Sequence, residues 1–247
     1  MVTDPRFLIA VQAFWQSRTT QQQRQLTAGK ADAGLRGAVT GGGQMAAIES
    51  LIRELLVDAG VPPADIITHS RLEIPGYFRG EKKWDLLVIS RRRLVLAIEF
   101  KSQVGPSFGN NFNNRTEEAI GSATDVWTAY REGRFGAGPA PFLGYFFLLE
   151  DCPAVRRPVR WSEPHFPVEP TFRDASYEHR YHLLCRRLVL ERLYNAACLT
   201  LATAATAATP TEVRHSSPDL TFATFASAVV AHARTSLALP DPAEGRS

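Results

Sequence analysis

Three ionisable side chains at the ends of two short apolar runs carry the chemistry legible in this chain. Asp85 opens the run in KWDLLVIS, and Glu99 and Lys101 close the run in LVLAIEFKS. A carboxylate or ammonium beside such runs is costly to desolvate unless it is paired or holds a cation. On a strand, residues two apart share a face, so Glu99 and Lys101 point the same way, and Asp85 on the neighbouring strand can converge with them. Two hard oxygen donors beside the main-chain carbonyl of Phe100 suit Mg²⁺, which keeps several waters and completes its shell with phosphate oxygens. Such an ion supplies positive charge and acidifies a water. Lys101, close to it, could orient that water, help remove its proton or stabilise charge on the phosphate. This is phosphodiester hydrolysis chemistry. The same short string also serves elsewhere as an ion pair terminating two strands, and the spacing by itself leaves that open.

The flanking elements must bring these groups together. Asp4 can cap and Pro5 can start a helix bearing Phe7, Leu8, Val11, Phe14 and Trp15 on one face. Residues 26–44, LTAGKADAGLRGAVTGGGQ, are rich in Gly and predict a mobile loop; no Gly-Lys-Ser/Thr follows to make a phosphate loop. Met45, Ile48, Ile52, Leu55 and Leu56 mark an amphipathic helix, carrying Glu49 and Glu54, that stops near Gly60 and Pro62-Pro63. From 66 to 101 short β-rich runs, separated by Pro75-Gly76, by 80–83 and by the 90–93 turn, predict an antiparallel meander.

After a polar loop over 102–114, Ala119, Ile120, Ala123, Val126, Trp127 and Tyr130 trace a helical stripe, and 142–149 form a buried strand. A hairpin joined to a further strand through a packed helix predicts an α/β fold, a mixed β-sheet flanked by helices. Residues 177–194 read as an Arg-bearing helix with Tyr181, Leu184, Cys185 and Leu188 inward, 199–217 as a loose connector, and 218–238 as a last helical segment carrying Phe225, Val229 and Val230. We read the 247 residues as one domain without internal repeats.

The net charge of +3 favours polyanions only mildly and does not identify nucleic acid. Cys152, Cys185 and Cys198 lack the paired spacing of a zinc cluster and sit in apolar segments, which fits a reducing cytoplasm. The N-terminus lacks the long apolar core of a signal peptide, and no run reaches membrane-spanning length, so we expect a protein neither exported nor inserted.

At these residues the chain resembles a known family. WDLLVIS, LVLAIEFKSQVGPSFGNNFNNRTEEAIGSA and EPHF are similar to the XhoI family of type II restriction endonucleases, most strongly over 72–135 and 163–194. The resemblance implies a PD-(D/E)xK nuclease core, with Asp85, Glu99 and Lys101 at its acid, second acid and lysine positions. Trp84 stands where the general pattern has proline. It further implies Mg²⁺-dependent cleavage of double-stranded DNA at CTCGAG leaving 5′-phosphates, and a methyltransferase that protects the host's own sites. A palindrome is most simply read by a two-fold homodimer.

Around this core several residues are candidates. Glu49 could add a helix-borne carboxylate to the metal, and Glu118 is a weaker candidate for the same place, Glu117 and Glu118 being expected rather to serve a helix N-terminus. The segment 107–115 reads as a loop whose Asn110, Asn111, Asn113, Asn114 and Arg115 could pair with bases in the major groove, or could simply build turns. Lys82, Lys83, Arg91, Arg92 and Arg93, like Arg156, Arg157 and Arg160, could position phosphates or form a solvated face. His165 reads as a loop histidine, and Tyr77 and Trp161 as packing residues. Two other functions use the same core: a non-cleaving DNA-binding module, and a repair nuclease that selects DNA structure rather than sequence.

Overall fold

The computed structural model describes residues 4–27, 42–136, 138–210 and 213–240. Most of the glycine-rich stretch read above as a mobile loop therefore lies outside the described residues. Asp4 Oδ1 accepts from the Arg6 N–H at 2.8 Å, and helix α1 (Pro5–Thr27) follows with Phe7, Val11, Phe14 and Trp15 buried. Helix α2 (Ala46–Asp58) buries Ile48, Leu51, Ile52 and Leu56, and ends beside Gly60, whose φ of 96° only glycine adopts freely.

Six strands form the main sheet in the order β1-β4-β5-β6-β7-β8. Strand β1 (Ile66–Ile67) and the hairpin of β4 (Leu86–Ser90) with β5 (Arg93–Gln103) are antiparallel; β6 (Phe142–Glu150) and β7 (Ala196–Ala202) continue in parallel; β8 (Arg214–His215) closes the edge antiparallel. The turn between β4 and β5 uses Arg91 and Arg92 with φ of 49° and 60°, the twist-matched pair that a two-residue hairpin requires.

Alternate strand residues feed two cores. On one face Leu86, Val88, Ile98, Phe100 and Phe146 pack with α1, α2 and the final helix α5 (Phe222–Leu237). On the other, Leu87, Ala97, Leu143, Tyr145 and Phe147 pack with α3 (Phe108–Arg131) and α4 (Tyr177–Leu190). The architecture is α/β with a mixed sheet between helices, as the sequence predicts.

Three expectations are corrected. The segment 66–101 is no single meander, because among the described residues β2 (Glu73–Pro75) and β3 (Glu81–Lys83) pair only with each other as a separate hairpin. The supposed loop at 107–115 is the start of α3, since Phe108 and Phe112 are buried against Tyr177 and Tyr181 and this burial overrides the poor helix propensity of the asparagines. The Ala/Thr-rich connector begins with β7, all of whose residues are buried; a strand covered on both faces shows no alternation to read.

The β2–β3 hairpin docks on α3 through Asp125. Its Oδ1 accepts the Tyr77 and Phe78 N–H groups at 2.6 and 2.8 Å, and Oδ2 accepts Arg79 Nε at 2.7 Å. A Cβ at Gly76 would lie 2.2 Å from Asp125 Oδ2, so glycine is required there. Tyr77, expected to pack, is exposed beside Phe78 at the tip of this hairpin.

Candidate active site

The Leu86 and Ile98 pair ends the β4–β5 ladder, and one step further Asp85 stands across from Glu99. The Asp85 N–H donates to the Ile98 carbonyl at 3.3 Å, and its Oδ2 accepts the Phe100 N–H at 2.8 Å. Parity along β5 puts Glu99 and Lys101 on the α3 face with Ala97. The strand ladder thus brings the three sequence-predicted groups to one place, at the end of β5 remote from its turn.

Glu99 is fully buried and both its oxygens are engaged. Lys82 Nζ, from β3, contacts Oε1, and the Tyr194 hydroxyl donates to Oε2 at 3.2 Å while also lying 3.3 Å from the Ala119 carbonyl. Lys101 points elsewhere: its Nζ lies 2.9 Å from Glu118 Oε1, and Arg115 Nη1 holds Glu118 Oε2 at 2.7 Å. Burial alone would push the Lys101 ammonium down, but Glu99, Asp85 and Glu118 outweigh it and hold the group above its ordinary value. Three carboxylates thus favour the charged form of Lys101. Glu118 is correspondingly drawn down, Lys101 and Arg115 outweighing its burial.

Glu49, on the first turn of α2, is largely buried rather than solvated. Burial raises its carboxyl, His69 opposes that, and Asp85 raises it further. Asp85 is likewise raised, by burial first, with Lys101 and the Phe100 N–H opposing and Glu99 adding to it. Two largely buried carboxyls, each raised by burial and by a neighbouring carboxylate, define a place where a cation is favourable. Among the described residues no three His, Cys, Asp or Glu side chains are assembled to hold a metal by themselves. Mg²⁺ does not need such a cage, because one or two carboxylates with waters and phosphate oxygens suffice, and the hard oxygens present fit it.

Other candidates have partners of their own, are exposed, or lie at the far end of the hairpin. Arg91 donates to the Leu239 carbonyl at 2.8 Å and Arg93 is buried, both near the turn that six residues of strand, about 20 Å, separate from Glu99. Arg156 pairs with Asp151. Trp161 lies under the Arg180 guanidinium, 3.9 Å from its ring centre, and His165 is exposed. Asn111 Nδ2 is spent on the Ser107 carbonyl at 2.7 Å, while Asn110, Asn113 and Asn114 share one exposed face of α3.

Sequence reasoning names Lys82 only as a phosphate contact or solvated turn residue and Glu118 only as a weak metal candidate, and it does not name Tyr194. Lys82 was assigned to a turn, yet it pairs with buried Ile74 and precedes buried Trp84 by two, so period-two alternation marks it as inward. Glu118 lies in the interior of α3, not at an N-terminus, once Phe108 is recognised as its start. No local signal marks Tyr194.

The family model described as restriction endonuclease XhoI matches residues 24–212, which include every group of this site. The chain belongs to the XhoI restriction endonuclease family. Relatives of this XhoI-family chain include the type II restriction enzyme BstVI of Geobacillus stearothermophilus, 51% identical over 176 residues that cover 69% of this chain and 79% of the relative. The type II restriction enzyme XhoI of Xanthomonas vasicola is 45% identical over 185 residues, 74% of each chain. AbrI of Azospirillum brasilense, also a type II restriction enzyme, is 51% identical over 160 residues, 64% of this chain and 71% of the relative. No solved structure matches this XhoI-family chain. Among its described residues no helix is long and apolar enough to cross a membrane.

Proposed function

We propose that this XhoI-family site-specific endonuclease cuts both strands of duplex DNA at the palindrome CTCGAG, using Mg²⁺ and leaving 5′-phosphate ends. In this PD-(D/E)xK reading Asp85 and Glu99 hold the ion, with the Phe100 carbonyl and Glu49 as further oxygens. Mg²⁺, when bound, acidifies a water and offsets phosphate charge. Lys101, kept protonated, donates to a non-bridging phosphate oxygen as charge builds there, and Glu118 fixes its direction. Water adds to phosphorus, the bond to the 3′ oxygen breaks, and that oxygen leaves with a proton.

The observation that carries this reading is the placement of Asp85 across from Glu99, with Lys101 two residues along the same face. Base reading falls to the exposed face of α3 bearing Asn110, Asn113 and Asn114, an arrangement suited to the major groove, with Asn111 and Arg115 supporting it from the same turns. Two copies related by a two-fold axis place one centre on each strand. The enzyme works in the cytoplasm beside a DNA methyltransferase of the same specificity.

Linear DNA carrying one CTCGAG, incubated with the protein and Mg²⁺, should give two fragments with 5′-phosphates at a fixed position. Metal-independent binding without cutting would support a non-cleaving module instead. Cutting directed by branches or mismatches irrespective of sequence would support a structure-selective nuclease.

A further inference from the structure

The carboxylate that the proposed function assigns to the metal is paired with a lysine outside the motif. Lys82 Nζ contacts Glu99 Oε1, lies 4.3 Å from the Trp84 ring centre and donates to its neighbour's carbonyl, Lys83 O, at 3.3 Å. Its side chain is only 9% exposed and Glu99 is 0% exposed, so each charge depends on the other for its compensation. The motif lysine pairs directly with Glu118 instead, so it acts on Glu99 only through space. Trp84, which replaces the proline of the general pattern, supplies the aromatic face over which the Lys82 ammonium rests.

A carboxylate oxygen can accept a hydrogen bond and still ligate a cation. A divalent ion bound to Glu99 would nevertheless bring its charge against the Lys82 ammonium at Oε1, and the two positive charges repel; the neutral Tyr194 hydroxyl at Oε2 opposes it far less. Lys82 can yield Oε1 without disturbing the main sheet, since among the described residues β3 pairs only with β2, the hairpin is anchored elsewhere by Asp125, and a lysine stem is flexible. Resting on the metal reading above, we infer that Lys82 is a positioning residue: a tethered counter-ion that holds Glu99 in the metal-free enzyme and releases it when a divalent cation binds. The displaced ammonium is buried and needs a new anion, which a DNA phosphate provides. Cation uptake and DNA binding therefore favour each other, and by linkage the favour is reciprocal.

The test is Mn²⁺ binding to the DNA-free protein, followed through the electron paramagnetic resonance of free Mn²⁺. Lys82→Met should bind Mn²⁺ roughly tenfold tighter than wild type, as expected for loss of a close charged competitor. With DNA whose scissile linkage cannot be hydrolysed, the gain in Mn²⁺ affinity should be smaller in Lys82→Met than in wild type. Unchanged or weaker Mn²⁺ binding by Lys82→Met overturns the inference. In the wild-type protein, the ¹⁵N signal of the Lys82 ammonium should move when Mg²⁺ is added; a signal that stays put at saturating Mg²⁺ also overturns it. Glu99→Gln separates the two levels: if it leaves Mn²⁺ binding intact, the metal site itself is wrong, whereas if it abolishes binding and Lys82→Met has no effect, only the role of Lys82 fails.

Discussion

The Lys101 ammonium lies 2.9 Å from Oε1 of Glu118, so the motif lysine is aimed by a glutamate from a helix on the sheet's face rather than by the motif's own acids. Arg115 holds the other oxygen of the same carboxylate, which ties the aim of Lys101 to the first turns of α3. Glu118→Gln should lower the single-turnover cleavage rate about 10- to 100-fold, the usual cost of losing a group that orients a site residue. Binding to cognate DNA should change far less. Because Glu118 helps hold Lys101 protonated, its loss should also move the alkaline limb of the rate–pH profile to lower pH. A rate loss with an unmoved limb would mean that Glu118 only supports the fold.

Glu99→Ala and Asp85→Asn should each abolish cleavage while leaving specific binding largely intact, as read by digestion and gel shift on the same DNA. Normal cleavage by either variant would remove it from the catalytic centre. Glu49→Gln, a more peripheral change, should raise the Mg²⁺ concentration needed for half-maximal rate.

Asp125 anchors the hairpin that carries Lys82. Burial raises its carboxyl, but the Phe78 and Tyr77 N–H groups and Arg79 outweigh that and hold it below its ordinary value. A depressed carboxyl contributes stability that is fully present above its unfolded value, about 3.9, and is lost as pH falls through the folded value. Asp125→Asn should therefore cost about 2 kcal/mol at pH 7 in urea unfolding, from the loss of hydrogen bonds to a charged group. The difference from wild type should shrink as the pH is brought down towards 3, and a constant difference would argue against the charge as its source.

Asn110, Asn113 and Asn114 lie on one exposed face of α3, whereas Asn111 is occupied by the Ser107 carbonyl. Alanine at one of the first three should reduce discrimination between CTCGAG and a single-base variant by about 1–3 kcal/mol if that residue reads a base. Asn111→Ala should instead act mainly on the stability of the first turn of α3. Equal effects at all four positions would place base reading elsewhere.

Much of the centre was legible in the chain because it depends on local order. Two apolar runs joined by a two-residue turn must form a hairpin, and the alternation of a strand then puts Glu99 and Lys101 on one face with Asp85 opposite. The mixed sheet followed from the same run being joined through a helix to a further strand. The early start of α3 and the strand β7 were hidden, because burial of Phe108 and Phe112, and cover on both faces of 196–202, outweigh local propensity and pattern.

The sequence by itself thus determined the hairpin, its three ionic groups and their family resemblance. Only the tertiary structure decided which charge meets which: Lys82 on Glu99, Glu118 on Lys101, Tyr194 on the second Glu99 oxygen, and Glu49 close enough to Asp85 to feel its charge. These partners come from β3, α3, the segment before β7, and α2. Coulomb attraction and hydrogen bonding act at distances of a few ångströms regardless of separation along the chain, so no spacing rule records them.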